Sequence, residues 1–364
     1  MKKILILGTG ESQVDLIRYC KKSGLEVYAC SPDKDESGVK EVDHFKLIDI
    51  TQISKIKEYV IENAIDLIYS MGSNLALITI YLINEELALP GFLSAHSVIH
   101  THDKGKTRSI LGIDFRGNPK WITVKQLNEI NFWDVFPCII KPVDNSGQRG
   151  VYLVNNMIEL ERAFSLSILL SKKREVIIEE FVDGSELSVH GYLVNNNLVF
   201  LHISDRITDE KISYGIAIEH RSPSIFTQYK DEIYKMVAEI CSILKISNGP
   251  VYLQLKIGTM GIKLLEVTPR LDGCHLWKLI RIIYGVDLID ITMRHLLYKH
   301  VPEFIVHDHL IPHKLVFNYN INGSFGIPSE TQEKLIFTHK YYNNFQAIRK
   351  SKGFERSGYS IMKS

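Results

Sequence analysis

Residues 266–273 read EVTPRLDG and stand where an apolar run, KLL, stops and a helix-like stretch, CHLWKLIRIIYG, begins. A turn at a strand end needs the Asp-Gly pair and, at most, the proline. Glu266 and Arg270 are surplus to that need. If GPVYLQLKIGTMGIKLLEVTPRL is a hairpin, alternation turns Gln254 and Glu266 to the same side. Oxygen ligands converging from two adjacent strands suit magnesium, which takes one or two protein carboxylates together with phosphate oxygens. Arg270, behind the rigid Pro269, would then reach a transferred phosphoryl group as a bidentate cation.

Two further stretches have chemistry to offer. CIIKPVDNSGQRG sets Lys141 at the end of an apolar strand, followed by a loop containing Ser146, Gly147 and Gly150. A lysine forced out of a buried strand beside exposed backbone N–H groups can hold a polyphosphate. It is equally the composition of a surface strand end. VIIEEFVDGSE runs out at Glu179 and Glu180 and bends at Asp183-Gly184. Adjacent strand carboxylates point to opposite faces, so at most one side chain serves a given pocket. Glu219, His220, Arg221 and His275 lie beside these strands and are open to either a substrate or a structural role. Cys274 reads as a packing residue.

These groups need a scaffold, and the chain supplies one. KKILILG, a helical stretch ending at Gly24, and EVYACS form a βαβ start. HFKLIDI, a helix from Gln52 to about Asn63, DLIYSMGS and a helix from Asn74 to Ala88 continue it as a parallel, Rossmann-like lobe over the first hundred residues. Its first turn, GTGESQ, has Gln13 where a dinucleotide fingerprint needs a small residue, so it reads first as a tight turn feeding a helix. From His102 the pattern changes to a helix start in HDKGKTRSIL, then to hairpin-like strands with DG and NNN turns. A helix from Tyr229 to Leu244, another near Val286 to Tyr298 and a strand-forming tail complete the chain. This is an α/β organisation with expected lobes at 1–100, 101–185 and 186–364.

Length and composition limit the function. The 364 residues suffice for two or three lobes, and 45% hydrophobic residues with a formal net charge of +1 give no electrostatic commitment to nucleic acid or anionic membrane. No run reaches the ~20 apolar residues of a membrane helix. The five cysteines are scattered and lack CxxC spacing, which favours a reducing cytoplasm over a disulfide framework or a zinc site.

In order along the chain, GTGESQ, HDKGKTRSIL, IIKPVDNSGQRGV, IIEEFVDGSELSV and LLEVTPRLDG resemble the ATP-grasp superfamily, particularly its carboxylate-amine ligases. The family resembled includes biotin carboxylase, the large chain of carbamoyl phosphate synthetase and the L-amino acid ligases. The resemblance implies a Rossmann-like (pre-ATP-grasp) lobe followed by a two-lobed α+β ATP-grasp fold. It implies ATP with Mg2+, or Mn2+ in its place, and small-molecule carboxylate and amine substrates. It is compatible with a homodimer. Lys104 and Lys141 would be the nucleotide-binding lysines, and Ser146 to Gly150 the cover of the triphosphate. Glu179, Glu180, Phe181 and Val182 would form the adenine hinge, with Glu186 near the ribose. Glu266 would be the central metal ligand, and Arg270, with Lys141, would serve catalysis.

Two positions depart from the family pattern. Gln254 stands where a second metal-binding glutamate is usual, and Thr268 where the Asn of E-x-N is usual. Both can offer neutral oxygens as metal neighbours, yet they withdraw full charge from the metal shell. The sequence therefore supports an ATP-dependent ligase working through an acyl phosphate and releasing ADP. It leaves two rivals: an ATP-binding protein of the same fold with little or no turnover, and an NAD-linked oxidoreductase resting on GTGESQ alone.

Overall fold

The computed structural model describes residues 1–145, 147–208, 215–304, 311–319, 334–341 and 356–364. The first lobe contains β1 (Lys3–Leu7), α1 (Glu11–Lys22), β2 (Glu26–Ser31), β3 (His44–Leu47), α2 (Ile53–Glu62), β4 (Leu67–Tyr69) and α3 (Asn74–Leu87). Its strands form a four-stranded parallel sheet in the order β3-β2-β1-β4. β1 is central, and Ile4 through Leu7 are fully buried, which is why ILIL shows no alternation: both faces are covered. The helix expected to end at Ala88 ends one residue earlier, where Ala88 turns left-handed at φ 52°.

Helices α4 (Ala95–Thr101) and α5 (Lys104–Leu111) lead into a second sheet made of β5 (Trp121–Val124), β6 (Cys138–Pro142), β7 (Tyr152–Val154) and β8 (Val176–Glu180), with α6 (Met157–Ser167) against it. The four strands run antiparallel in the order β5-β8-β6-β7. The start of α5 follows from its cap, since the Asp103 carboxylate accepts the Lys106 N–H at 3.0 Å.

The remaining elements are β9 (Ser185–Val194), β10 (Asn197–Thr208), β11 (Ala217–Ser222), α7 (Lys230–Ile243), β12 (Gly249–Gly258), β13 (Gly261–Thr268), α8 (Leu276–Tyr284), α9 (Leu288–Tyr298), β14 (His313–Tyr319), β15 (Leu335–Lys340) and β16 (Arg356–Lys363). They build an eight-stranded sheet in the order β13-β12-β9-β10-β11-β14-β16-β15. Asn195 and Asn196, at φ 49° and 67°, make the β9–β10 turn that the NNN stretch announces. The strand-forming tail packs as expected in β14 and β16, which pair from His313↔Lys363.

The two faces of this sheet differ in chemistry. Leu187, Val189, Leu253, Leu255 and Val267 pack with Ile233, Met236, Val237 and Ile240 of α7 in one core. The alternate positions carry Glu186, Ser188 and His190 on β9, His202, Ser204 and Arg206 on β10, Tyr252 and Gln254 on β12, and Glu266 and Thr268 on β13. Register brings these together: Gln254 opposes both Ser188 and Glu266, while Tyr252 opposes His190 and Thr268. A period of two thus sorts one strand set into an apolar floor and a polar working surface.

The GTGESQ turn is closed by its own side chains. Glu36 accepts from Thr9 N at 3.1 Å and from Thr9 Oγ1 at 2.6 Å. A side-chain atom of Gln13 lies 3.4 Å from where a Cβ on Gly8 would stand, and its amide donates to Met71 O. A pyrophosphate would meet a carboxylate and a glutamine at this turn, so the geometry disfavours the dinucleotide reading.

Candidate active site

A cleft of about 540 Å³ opens between the second sheet and the polar face of the large sheet. At one end lie Ile139, Lys141, Glu180, Phe181 and Val182; Gln254 and Glu266 line it farther along. Asp183 and Gly184 bend the chain between β8 and β9. Gly184 has φ +90°, and a Cβ there would sit 2.1 Å from Ile257 O, so only glycine allows this close approach.

Lys141 is 9% exposed, and its ammonium lies 2.6 Å from Glu179 Oε2. Arg108 Nε donates to Glu179 Oε1 at 2.8 Å. Burial raises the Glu179 pKa, but the Arg108 and Lys141 charges more than offset it and hold the carboxyl down to about 2. Glu179 therefore organises two cations within the fold. Lys104 opens α5, and its ammonium donates to Asn145 O at 2.6 Å. Burial pushes its pKa down, the Glu266 charge opposes that, and Lys141 adds to it.

Two amides of the hinge bond inside the protein: Glu180 N donates to Lys120 O at 2.9 Å, and Phe181 N to Pro137 O at 3.0 Å. Val182 O accepts from Lys256 Nζ at 2.8 Å, and that ammonium lies 4.8 Å from the Phe181 ring centre. Glu186 pairs with Arg206 on the neighbouring strand. Gly147 and Gly150 line the glycine-containing loop at positive φ, and Gln148 Nε2 reaches Gly215 O at 3.3 Å across the cleft. Ser146 lies outside the described residues.

At the other end, Asn74 joins the two groups that the EVTPRLDG stretch singles out. Its amide nitrogen donates to Glu266 Oε1 at 3.1 Å, and its amide oxygen accepts from Arg270 Nε at 2.7 Å. Arg270 also donates from Nη1 to Leu271 O at 2.9 Å. Asn74 is the first residue of α3, so the N-terminal lobe contributes directly here. A smaller pocket lined by Asn74, Thr101, Lys104, Arg108, Asn145 and Glu266 adjoins this point. Thr268 is buried two register pairs along, opposite Tyr252, and its Oγ1 has no hydrogen-bond partner among the described residues.

The donor set fits one hard cation. Glu266 supplies a carboxylate and Gln254, directly opposite, a neutral oxygen, while no group of three or more His, Cys, Asp or Glu side chains converges among the described residues. Magnesium accepts such a sparse protein shell when phosphate and water oxygens complete it.

Of the other candidates, Glu219, His220 and Arg221 lie on strand β11, where Glu219 and Arg221 pair with each other at 2.5 Å. His220 is fully buried opposite Arg206, and His275 bonds Tyr341 OH at 2.8 Å and stacks on Tyr359. Asn74, Arg108, Arg206 and Arg356 carry the geometry without having been singled out. SMGSN before a helix was the available signal for Asn74; Arg356 sits in the C-terminal tail, where no motif marks it.

Residues 134–276 match the model of the ATP-grasp domain. Over 187 residues the chain is 28% identical to a formate-dependent phosphoribosylglycinamide formyltransferase of Prochlorococcus marinus, covering 50% of this chain and 48% of that protein. It thus spans about half the length of the curated relatives it matches first. Among solved structures, the L-amino acid ligase of Bacillus licheniformis superposes with a TM-score of 0.77 at 17% identity, covering 100% of this chain and 93% of that one. The N5-carboxyaminoimidazole synthetase of Staphylococcus aureus, complexed with ADP, gives a TM-score of 0.76 at 16% identity, covering 100% and 93%. These two likenesses establish the fold. Among the described residues no helix is long and apolar enough to cross a membrane.

Proposed function

We propose that the chain, whose residues 134–276 match the model of the ATP-grasp domain, works as an ATP-dependent carboxylate-amine ligase. In this reading a substrate carboxylate oxygen attacks the γ-phosphorus of ATP, and ADP departs. An amine nitrogen then attacks the acyl carbon of the resulting acyl phosphate, loses a proton, and phosphate leaves. The observation that carries the reading is the Glu266–Asn74–Arg270 linkage at one end of a cleft whose other end is the 180–182 hinge.

Val182 is the hinge amide suited to adenine, because those of Glu180 and Phe181 are bonded internally. Lys141, fixed by Glu179, and Lys104, fixed by Asn145, present cations to the phosphates from two different elements. Glu186 would face the ribose side of the cleft, and the loop residues 147–150 would cover the triphosphate. Glu266 and Gln254 would hold magnesium, or manganese in its place, with Thr268 behind them; the ion neutralises phosphate charge. Arg270, oriented by Asn74, steadies the charge that develops on the transferred group. Catalysis on this account is positioning and charge stabilisation.

The three sheets support a division into lobes 1–100, 101–185 and 186–364. Free thiols at all five cysteines suit a reducing cytoplasm.

The test is ADP release from the full chain with ATP and magnesium across a panel of carboxylates and amines. The ligase reading expects release that requires a particular carboxylate and increases with a particular amine. Tight ATP binding with no release from any pair would instead identify an ATP-binding protein without turnover.

A further inference from the structure

His190 and Asp272 form a pair that the ligase reading leaves unused. His190 stands on β9 and Asp272 on the turn between β13 and α8, and both are fully buried. The imidazole donates from Nε2 to Asp272 Oδ1 at 3.0 Å, while Oδ2 accepts the Cys274 N–H at 2.5 Å. A turn that had only to join a strand to a helix needs neither group, and a carboxylate taken out of water costs the fold unless it is paired.

The same turn carries Arg270. It is 8% exposed, and its hydrogen bonds go to Asn74 through Nε and to Leu271 O through Nη1. Both acceptors are neutral. Burial pushes the Arg270 pKa down, and the charges that oppose this are those of Glu266 and then Asp272. Glu266, in holding a metal ion, would commit the first of these charges elsewhere. Asp272 lies beneath the cleft surface and has no such second duty.

The groups around Asp272 leave its charge to Arg270. His202 on β10 and His220 on β11 face it from the sheet, and His275 from the start of α8. Burial holds His202 at about 3 and His275 at about 4 and takes His220 well below its ordinary 6.5, so near neutral pH these three rings carry no charge. Tyr252 on β12 is a neutral phenol whose pKa burial raises. In His190 the second ring nitrogen, Nδ1, is buried without a hydrogen-bond partner among the described residues, and a proton placed there would be an unpaired donor. The pair thus keeps one net negative charge.

We propose that Asp272 is the standing counter-charge of Arg270 and that His190 orients it. Both are positioning residues: they act by keeping the guanidinium charged and aimed while Glu266 serves the metal. The effect on turnover rests on the ligase reading above; the pairing of Asp272 with Arg270 does not.

Stability tests the pairing without any substrate. Urea midpoints of the full chain are measured for the wild type, Asp272→Asn, Arg270→Gln and the double variant. If the two charges support each other, Asp272→Asn should lower the midpoint in the wild-type background and by roughly half as much or less beside Arg270→Gln. Equal shifts in the two backgrounds overturn the counter-charge. Histidine-selective nitrogen NMR of the wild type checks the other partner, and stands even where Asp272→Asn does not fold. His190 should carry a proton on Nε2 alone; a ring protonated on both nitrogens makes the pair neutral and overturns the assignment.

ADP release then tests the positioning. With an active carboxylate and amine pair, Asp272→Asn should lower kcat about 10-fold or more and leave the KM of ATP within about 3-fold. His190→Gln, whose amide can still donate to Asp272, should keep most of the wild-type kcat, and His190→Leu should fall with Asp272→Asn. A loss confined to the KM of ATP, or equal rates for the Gln and Leu variants, contradicts the positioning role. Absence of ADP release with every pair contradicts the ligase reading, while the urea midpoints still decide the pairing.

Discussion

At the hinge end of the cleft, the groups that would face a nucleotide come from short contiguous stretches. Lys141 and its loop lie within 141–150, and the hinge within 179–182. At the Glu266 end, the decisive contacts cross the molecule: Asn74 meets Glu266 over a separation of 192 residues and Arg270 over 196. The first region is a local device that one hairpin and one bend can assemble. The second exists only when the N-terminal lobe has docked on the β13 turn, where Gly72 N donates to Leu271 O at 3.2 Å. Binding and chemistry should therefore be separable by mutation, since one end can lose its function while the other keeps its geometry.

The largest separation is expected from Glu266→Gln. It keeps the shape and the Asn74 contact but removes the carboxylate, and turnover should fall by ~10²–10³ or more, as is typical when a preorganised charge-stabilising group is lost. ATP binding should weaken far less. ADP release and calorimetry on the same preparation check this; equal losses in both would merge the two ends into one device.

Lys141→Ala attacks the other end. Loss of a charged contact to phosphate should weaken ATP by roughly 10- to 150-fold, or ~1.5–3 kcal/mol. The fold should survive, because Glu179 retains Arg108 at 2.8 Å. Unchanged ATP affinity in a folded variant would remove Lys141 from the nucleotide site.

Arg270→Lys keeps the charge but loses the planar fork. It should lower kcat by about 10- to 100-fold with the KM of ATP within about 3-fold. Asn74→Ala, which frees both Arg270 and Glu266, should move the same parameter by about 10-fold. A change confined to the KM of ATP in either variant would contradict the division.

These expectations rest on what could be read in the chain and what could not. The parallel lobe was legible because ILIL, EVYACS and the intervening helix have strong periods. Lys141 and the 179–182 bend could be singled out as a strand end and a chain reversal, and both line the cleft, although the same letters suit a surface strand end equally well. Glu179 shows the limit of that reasoning: its side chain is absorbed by Arg108 and Lys141, and no local pattern announces an ion pair spanning 71 residues. Gln254 opposite Glu266 followed from strand alternation, which survives the bulge between Gln254 and Leu255. Arg206 and Arg356 were invisible because their place in the cleft comes from strand order, β9-β10-β11-β14-β16, and sequence does not specify the order of an antiparallel sheet. GTGESQ is the opposite case, a motif with chemistry in its letters that reads first as a tight turn because of Gln13, and whose turn is indeed filled by Glu36 and Gln13.

The smallest effect concerns the polar face itself. Burial holds His202 at about 3 against an ordinary 6.5, so the unfolded chain takes up a proton below pH 6.5 that the folded chain refuses until about pH 3. Stability should fall as pH drops through that window. Glu179, depressed from 4.5 to about 2, stabilises the fold above 4.5 and loses that contribution as pH falls through 2. Between pH 6.5 and 4.5 the slope comes mainly from buried histidines, and His202→Gln should flatten it by on the order of 1 kcal/mol per pH unit. Urea unfolding at several pH values measures this, and an unchanged slope would mean that His202 titrates normally in the fold.

The central claim is that Glu266 is the one strong carboxylate of a metal-dependent reaction centre, held with Arg270 by Asn74. Its most direct test is ADP release across a magnesium titration, with ATP and an active carboxylate and amine pair, for the wild type and Glu266→Gln. The account predicts a wild-type rate that rises with magnesium to a plateau, and a variant that needs more magnesium and reaches a far lower one. Superimposable curves for the two proteins would contradict it.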